Sequence, residues 1–226
     1  MALFLIRNQF FFMIASNLRF VKSRIDSINH NQEVQLIAVS KARSNSEIQE
    51  AIDAGQLHFG ENYLQESLDK ITSLKGNNLT WHFIGPIQSN KTASIAENFD
   101  WVHSVDRLKI AKRLSDQRSP NLGHLNILLQ INIDREQTKS GLLVENIDEI
   151  VLEVNSLPNI SLRGFMCIPN PDNSANSFNE MAKLLSKYSY LDSLSMGMSD
   201  DLELAIERGA TLVRVGTDIF GKRDYN

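Results

Sequence analysis

The feature that most limits how this chain can fold is an alternation. Short apolar runs are followed by amphipathic stretches, and each pair occupies about 25 residues. Uninterrupted apolar runs suit strands buried on both faces, and stretches with a 3.6-residue apolar period suit helices laid over them. The pattern predicts βα units and a parallel sheet.

Strands are expected at residues 36–39, 57–59, 81–84, 101–105, 125–133, 162–168, 191–196 and 211–215. A helix precedes the first strand, because Ile14, Leu18, Val21 and Ile25 fall on one face. The following helices carry Ile48, Ala51 and Ile52, with Gly55 as a stop signal, and then Leu64, Leu68 and Ile71. Further faces are Leu108, Ala111 and Leu114; Ile147, Ile150, Val151 and Val154; and Phe178, Met181 and Leu185. Ser199 is expected to cap a helix whose first turn holds Asp200 and Asp201, with Leu202, Ala205 and Ile206 facing inward.

Eight strands with helices between them describe a single (β/α)₈ TIM barrel with an extra N-terminal helix. A doubly wound open sheet ranks second, because no Gly-x-Gly-x-x-Gly follows the first strand. The chain has 226 residues and no Pro/Gly/Ser-rich linker, so residues 13–226 are read as one barrel domain. Residues 1–12 belong to the run MALFLIRNQFFFM, charged only at Arg7. That run is too short to span a bilayer and lacks a clean cleavage site. It is read as an extension of unknown role, with Met13 as the natural start.

A net charge of -4 argues against broad nucleic-acid binding, which needs a positive face. No membrane association is expected. The single cysteine, Cys167, excludes an internal disulfide and fits a reducing, cytoplasmic compartment. It sits in an apolar run, so a buried inert thiol is expected ahead of a nucleophile. The five histidines (His30, His58, His82, His103, His124) show no ligand spacing, and no metal site is expected.

Two segments carry chemistry. Lys41 follows the apolar run Ala38-Val39 and Ser40, at the C-terminal end of the first strand. In a barrel that is the catalytic face, and apolar surroundings favour a neutral, nucleophilic amine. The other reading of Lys41 is a solvated loop residue. In Val213-Arg214-Val215-Gly216-Thr217 an arginine lies inside an apolar strand, where it needs a partner, and an internal salt bridge is the plain alternative. Gly216 and Thr217 end that strand where backbone N–H groups could meet a phosphate, and Ser199 offers a further anion contact. Asn62 reads equally as a turn residue, His82 as a core histidine, and Ser89-Asn90-Lys91 as a helix start.

Several segments together resemble the pyridoxal phosphate homeostasis protein family. They are Ala38-Val39-Ser40-Lys41, Phe59-Gly60-Glu61-Asn62, the stretch from Trp81 to Lys91 (WHFIGPIQSNK), Lys139-Ser140-Gly141, Arg163-Gly164-Phe165-Met166, the stretch from Ser195 to Asp201 (SMGMSDD), and Val213-Arg214-Val215-Gly216-Thr217. They run in family order from about residue 14 to the end. The resemblance implies a barrel like the N-terminal domain of alanine racemases, binding pyridoxal 5′-phosphate (PLP). Lys41 would hold PLP as an internal aldimine, and Asn62 and Met166 would line the ring. Ser199, Gly216 and Thr217 would hold the phosphate, and Arg214 would face the pyridine nitrogen. An arginine there cannot supply a proton, so the cofactor becomes a weaker electron sink. Lys139 matches a second family lysine that takes up or passes on PLP.

Alanine racemases add a β-domain with a second acid/base, and this chain ends at Asn226, nine residues after Thr217. The expectation is therefore a monomeric, non-catalytic PLP carrier in vitamin B6 homeostasis, with PLP-dependent apoenzymes as partners and no catalytic residue. A low-activity amino-acid racemase using Lys139 or His82 as second base is the alternative, and a cofactor-free Schiff-base aldolase ranks third. Lys41 is followed by Ala42-Arg43-Ser44, where many family members have a nearby proline. That difference is expected to alter the loop more than the imine.

Overall fold

The computed structural model describes residues 2–28 and 32–222, with side chains described from residue 13 onward. Eight strands run in chain order: β1 (Gln35–Val39), β2 (His58–Glu61), β3 (Thr80–Phe83), β4 (Trp101–Val105), β5 (Leu125–Gln130), β6 (Ile160–Met166), β7 (Ser193–Ser195) and β8 (Leu212–Val215). All neighbouring pairs are parallel, and β8 pairs with β1 (Leu36 opposite Val213, Ile37 opposite Arg214). The sheet is thus a closed barrel, which removes the doubly wound alternative.

Helix α1 (Ala2–Asp26) precedes the barrel. The others are α2 (Asn45–Asp53), α3 (Leu64–Ser73), α4 (Thr92–Asn98), α5 (Leu108–Gln117), α6 (Ile147–Asn155), α7 (Ser174–Ser186), α8 (Leu202–Glu207) and α9 (Thr217–Phe220). Ile14, Leu18, Val21 and Ile25 of α1 are buried as expected, and the helix extends back through the residues assigned to the extension. Asn17 Nδ2 donates to Ile219 O at 3.0 Å, and Arg24 pairs with Glu203 and Asp218, each at 2.6 Å. These contacts tie α1 to α8 and α9. Among the described residues no helix is long and apolar enough to cross a membrane.

Three local expectations change and one holds. The strand expected at 57–59 is displaced: Leu57 is 45% exposed, and β2 runs on through buried Gly60 and Glu61. A glycine and a carboxylate do not look like a strand by hydropathy, yet both sit in the ladder. The fifth strand stops at Gln130, because the chain leaves the sheet and Ile131 bridges to Leu142. Ser89-Asn90-Lys91 is the helix start read from the sequence, a 3₁₀ turn leading into α4. Finally, Ser199 does not cap α8. Asp201 takes the cap position and its Oδ1 accepts from Met198 N at 2.6 Å, which closes a turn before the helix begins. Ser199 lies in that turn, and its carbonyl accepts from Arg24 Nη2 at 3.0 Å.

The larger apolar core lies between strands and helices. Inside the barrel a small cluster of Ile37, Leu128, Met166 and Leu212 shares the space with polar groups. His58 Nδ1 meets His82 Nε2 at 3.0 Å, and His82 Nδ1 meets His103 Nε2 at 3.0 Å. Arg163 is an extra residue in the β5–β6 register (Ile127 opposite Leu162, Leu128 opposite Gly164), a bulge that re-aims the strand. Gly164 follows it at φ +154°, and a Cβ there would collide with Ser193 O.

Gly164→Ala should therefore lower stability by about 3 kcal/mol, because neither backbone can retreat. Denaturant unfolding measures this, and an unchanged midpoint would refute the close-contact assignment. Burial also pushes His82 and His103 well below the usual 6.5, and the Arg214 guanidinium lowers His103 further. The folded protein thus favours neutral rings, and the unfolded chain binds those protons more readily. This stabilisation is complete above about 6.5 and is lost as pH falls below it. The urea midpoint should already drop between about pH 7 and pH 5.5, above the range where carboxylates titrate. A flat midpoint there would count against neutral buried rings.

Candidate functional site

All seven residues singled out as cofactor contacts lie on an arc at the C-terminal ends of β6, β7, β8, β1 and β2. The arc is continuous only because β8 closes onto β1. Two cavities, of about 360 and 370 Å³, open at the opposite end, where the strands begin. They are not where the expected chemistry lies, since βα loops at the C-terminal face carry the reactive groups of such barrels.

Lys41 is half-buried in the five-residue link between β1 and α2. That link is held at both ends. Ala42 has a left-handed φ of +58°, costly for a residue with a Cβ, and its N–H donates to Glu66 Oε1 at 2.6 Å. Ser44 caps α2 in a reciprocal box with Glu47. Between them, Arg43 donates to Gly221 O and lies over the Phe220 ring. The link without a nearby proline is fixed by charge and capping.

Behind Lys41 sits a buried ion pair that the sequence reading missed. Glu61 is fully buried, and its Oε1 accepts from Ser40 Oγ at 2.6 Å and Lys70 Nζ at 2.8 Å. Lys70 Nζ also donates to Ser40 O at 2.7 Å and to Glu66. Burial pushes the Glu61 carboxyl above its usual range, and Lys70 pulls it back. The apolar face read on α3 gave no warning. Its buried positions are Ser67 and Lys70, whereas Leu64, Leu68 and Ile71 are half-buried. The pair follows from the strand register, in which Val39 faces Gly60 and so brings Ser40 beside Glu61, and no sequence signal marked it.

Asn62 follows Glu61 directly, and its Oδ1 is buried without a hydrogen-bond partner among the described residues. Gly85 packs on the Asn62 backbone so closely that a Cβ would collide with the Asn62 carbonyl. An uncompensated buried amide oxygen beside the proposed imine lysine suits a ligand contact.

Arg214 is 5% exposed in β8. Its Nη1 donates to Ser195 Oγ at 2.6 Å and its Nη2 to Cys167 O at 3.0 Å. No carboxylate lies within ion-pair distance of it among the described residues, so the internal salt bridge is replaced by neutral acceptors. Burial lowers its pKa, and an arginine still stays charged. These two bonds leave further N–H donors of the guanidinium available to an acceptor. Gly216 lies against the end of β1, where an added Cβ would be 3.3 Å from Val39 O, and Thr217 is the first residue of α9. The β8 turn is thereby placed beside the lysine link. Met166 ends β6, is 1% exposed, and packs inward on the interior cluster.

Lys139 lies on the loop after β5, with Nζ 2.8 Å from Glu136 Oε1 and 3.3 Å from Ile168 O, beyond the end of β6. His82 is in the barrel interior with both ring nitrogens engaged by other histidines. Burial pushes the Cys167 thiol up to about 12, which keeps it un-ionised and unreactive at neutral pH.

Lys70→Met should cost about 3–5 kcal/mol, since it leaves Glu61 charged and unpaired in the interior. Urea unfolding of Lys70→Met and of Glu61→Leu/Lys70→Met tests this. The double variant should recover most of the loss, and equal stability of both variants would show that the pair is not coupled.

A family model for the alanine racemase N-terminal domain matches residues 13–224. The pyridoxal phosphate homeostasis protein of Escherichia coli is 48% identical over 229 residues, covering 94% of this chain and 98% of its own. That of Pseudomonas aeruginosa is 54% identical, covering 85% and 86%. PipY of Synechococcus elongatus, solved with PLP bound, superposes with a TM-score of 0.82 at 34% identity, covering 92% of this chain and all of PipY. Alanine racemase from Corynebacterium glutamicum, at 18% identity and TM-score 0.71, shares the fold over 61% of its length. The chain therefore belongs to the pyridoxal phosphate homeostasis protein family, built on the barrel of the alanine racemase N-terminal domain.

Proposed function

We propose that this protein binds PLP covalently through Lys41 and acts in PLP homeostasis and supply, as a carrier. The observation that carries the reading is the donor set on one arc. It joins a lysine held beside an apolar strand end, a buried arginine with donors to spare, and a strand-to-helix turn at Gly216. The relatives' shared name and the PLP-bound PipY structure support it.

PLP supplies an electrophilic aldehyde and an electron-withdrawing ring when bound. The Lys41 amine joins the aldehyde carbon as a C=N linkage, with loss of one water. Asn62, through its unsatisfied amide oxygen, and Met166 would line the ring. Backbone N–H groups at Gly216 and Thr217, with Ser199, take the phosphate. Arg214 donates a hydrogen bond to the ring nitrogen but gives up no proton, so the ring draws electrons weakly. That chemistry favours holding the cofactor over turning over amino acids.

Residues 13–226 act as one PLP-binding unit, with residues 1–12 as an N-terminal extension. The protein works in the cytoplasm as a monomer and passes PLP to apoenzymes, with Lys139 at the rim assisting transfer. A low-activity racemase would need a second base at this mouth. Of the two candidates, His82 has both ring nitrogens engaged by other histidines, which leaves Lys139 as the residue to test.

Adding PLP to the purified protein should give a visible absorbance band that borohydride removes, leaving a pyridoxyl mass on the peptide carrying Lys41. Lys41→Ala should abolish both. An unchanged band and stoichiometry in Lys41→Ala would refute the anchor, and amino-acid turnover above the rate of free PLP would favour the racemase.

A further inference from the structure

A continuous line of hydrogen bonds crosses the barrel interior. It runs from Arg214 Nη1 to Ser195 Oγ (2.6 Å), to His103 Nδ1 (2.9 Å), from His103 Nε2 to His82 Nδ1 (3.0 Å), and from His82 Nε2 to His58 Nδ1 (3.0 Å). Ser195, His82, His103 and Arg214 are all buried. His58 is half-buried at the start of β2, where it lines the cavity at the N-terminal end. Ring placement reinforces the line. His82 stacks on Trp101 at 19° between planes, and His103 meets His82 edge-on.

We propose that Arg214 gives this line a single polarity, fixing His103, His82 and His58 as Nε2–H tautomers, and that Ser195 and the histidines are positioning residues for the guanidinium. The direction follows from donor arithmetic. A guanidinium only donates, so Ser195 Oγ accepts from it. The Ser195 hydroxyl hydrogen then needs an acceptor, and among the described residues only His103 Nδ1 is within reach. Leaving that buried O–H unsatisfied would cost a full desolvation penalty. A neutral His103 that accepts at Nδ1 carries its hydrogen on Nε2 and donates to His82 Nδ1. The same logic makes His82 donate from Nε2 to His58 Nδ1, and leaves the His58 Nε2–H facing outward. Neutral rings are consistent with the downward pKa shifts that burial imposes on all three.

The line and Cys167 O together hold the guanidinium through Nη1 and Nη2. The consequence for ring-nitrogen contact rests on the PLP reading above. The tautomer pattern does not, because it is a property of the protein without cofactor.

The test is a long-range ¹H–¹⁵N correlation spectrum of the cofactor-free, ¹⁵N-histidine-labelled protein at neutral pH. His58, His82 and His103 should each show the Nε2–H pattern, whereas exposed His124 should show averaged tautomers. An Nδ1–H form at His82 or His103 would overturn the proposal. Ser195→Ala should then release the single tautomer at His103 and His82, and should weaken PLP affinity about tenfold through loss of one bond to a charged donor. Unchanged imidazole signals in a folded Ser195→Ala would also overturn it. Should Ser195→Ala fail to fold, the native spectrum still decides. If the native protein shows the three Nε2–H forms yet binds no PLP, the cofactor reading fails and the hydrogen-bonded line stands.

Discussion

The contact on which the rest depends is the parallel ladder between β8 and β1. Gln35 N donates to Thr211 O at 2.8 Å, and the register places Ile37 beside Arg214 and Ala38 beside Val215. Two residues further along each strand stand the Gly216 turn and the approach to Lys41. Without closure these segments lie at opposite ends of the sequence. With it, Lys41 and the turn at Gly216 share one rim. The clamp from α1 adds to this closure. Arg24 reaches Glu203, Asp218 and the Ser199 carbonyl, so the first helix holds the last two in place.

The barrel interior carries several buried polar groups. Most of the apolar burial lies outside the sheet, under the helices, while the lumen contains only a small apolar cluster beside three histidines, Ser195 and Arg214. Such groups are tolerable in a low-dielectric space only when their hydrogen bonds are complete. Arg214 meets neutral acceptors, and the histidines satisfy one another. The second buried charge system, Glu61 with Lys70, lies behind the Lys41 link and ties Ser40, the Glu66 side chain and the left-handed Ala42 into one unit. The mouth is thus built on two buried polar networks, one beneath each half of the arc.

Some of this was plain in the chain and some was not. Lys41 stood out because it directly follows a buried strand, although its position alone fitted a solvated loop residue equally well. Arg214 was legible because an arginine inside Val213-Arg214-Val215 must find partners. The histidines looked scattered, yet His58, His82 and His103 recur at separations of 24 and 21, one βα unit apart. That spacing places them on successive strands. Ser199 misled, because a serine before two acidic residues resembles a cap, and the backward bond from Asp201 to Met198 N wins locally.

The sequence by itself determined the alternation of strands and helices, their number, the barrel they imply, and the presence of a lysine after the first strand and an arginine within the last. These follow from local periodicity and from the cost of burying single charges. The tertiary structure alone decided the partners: Ser195 and Cys167 O for Arg214, Lys70 for Glu61, and one histidine for the next. Partner choice depends on strand register and barrel closure, which bring together groups dozens of residues apart, and no local pattern encodes those distances.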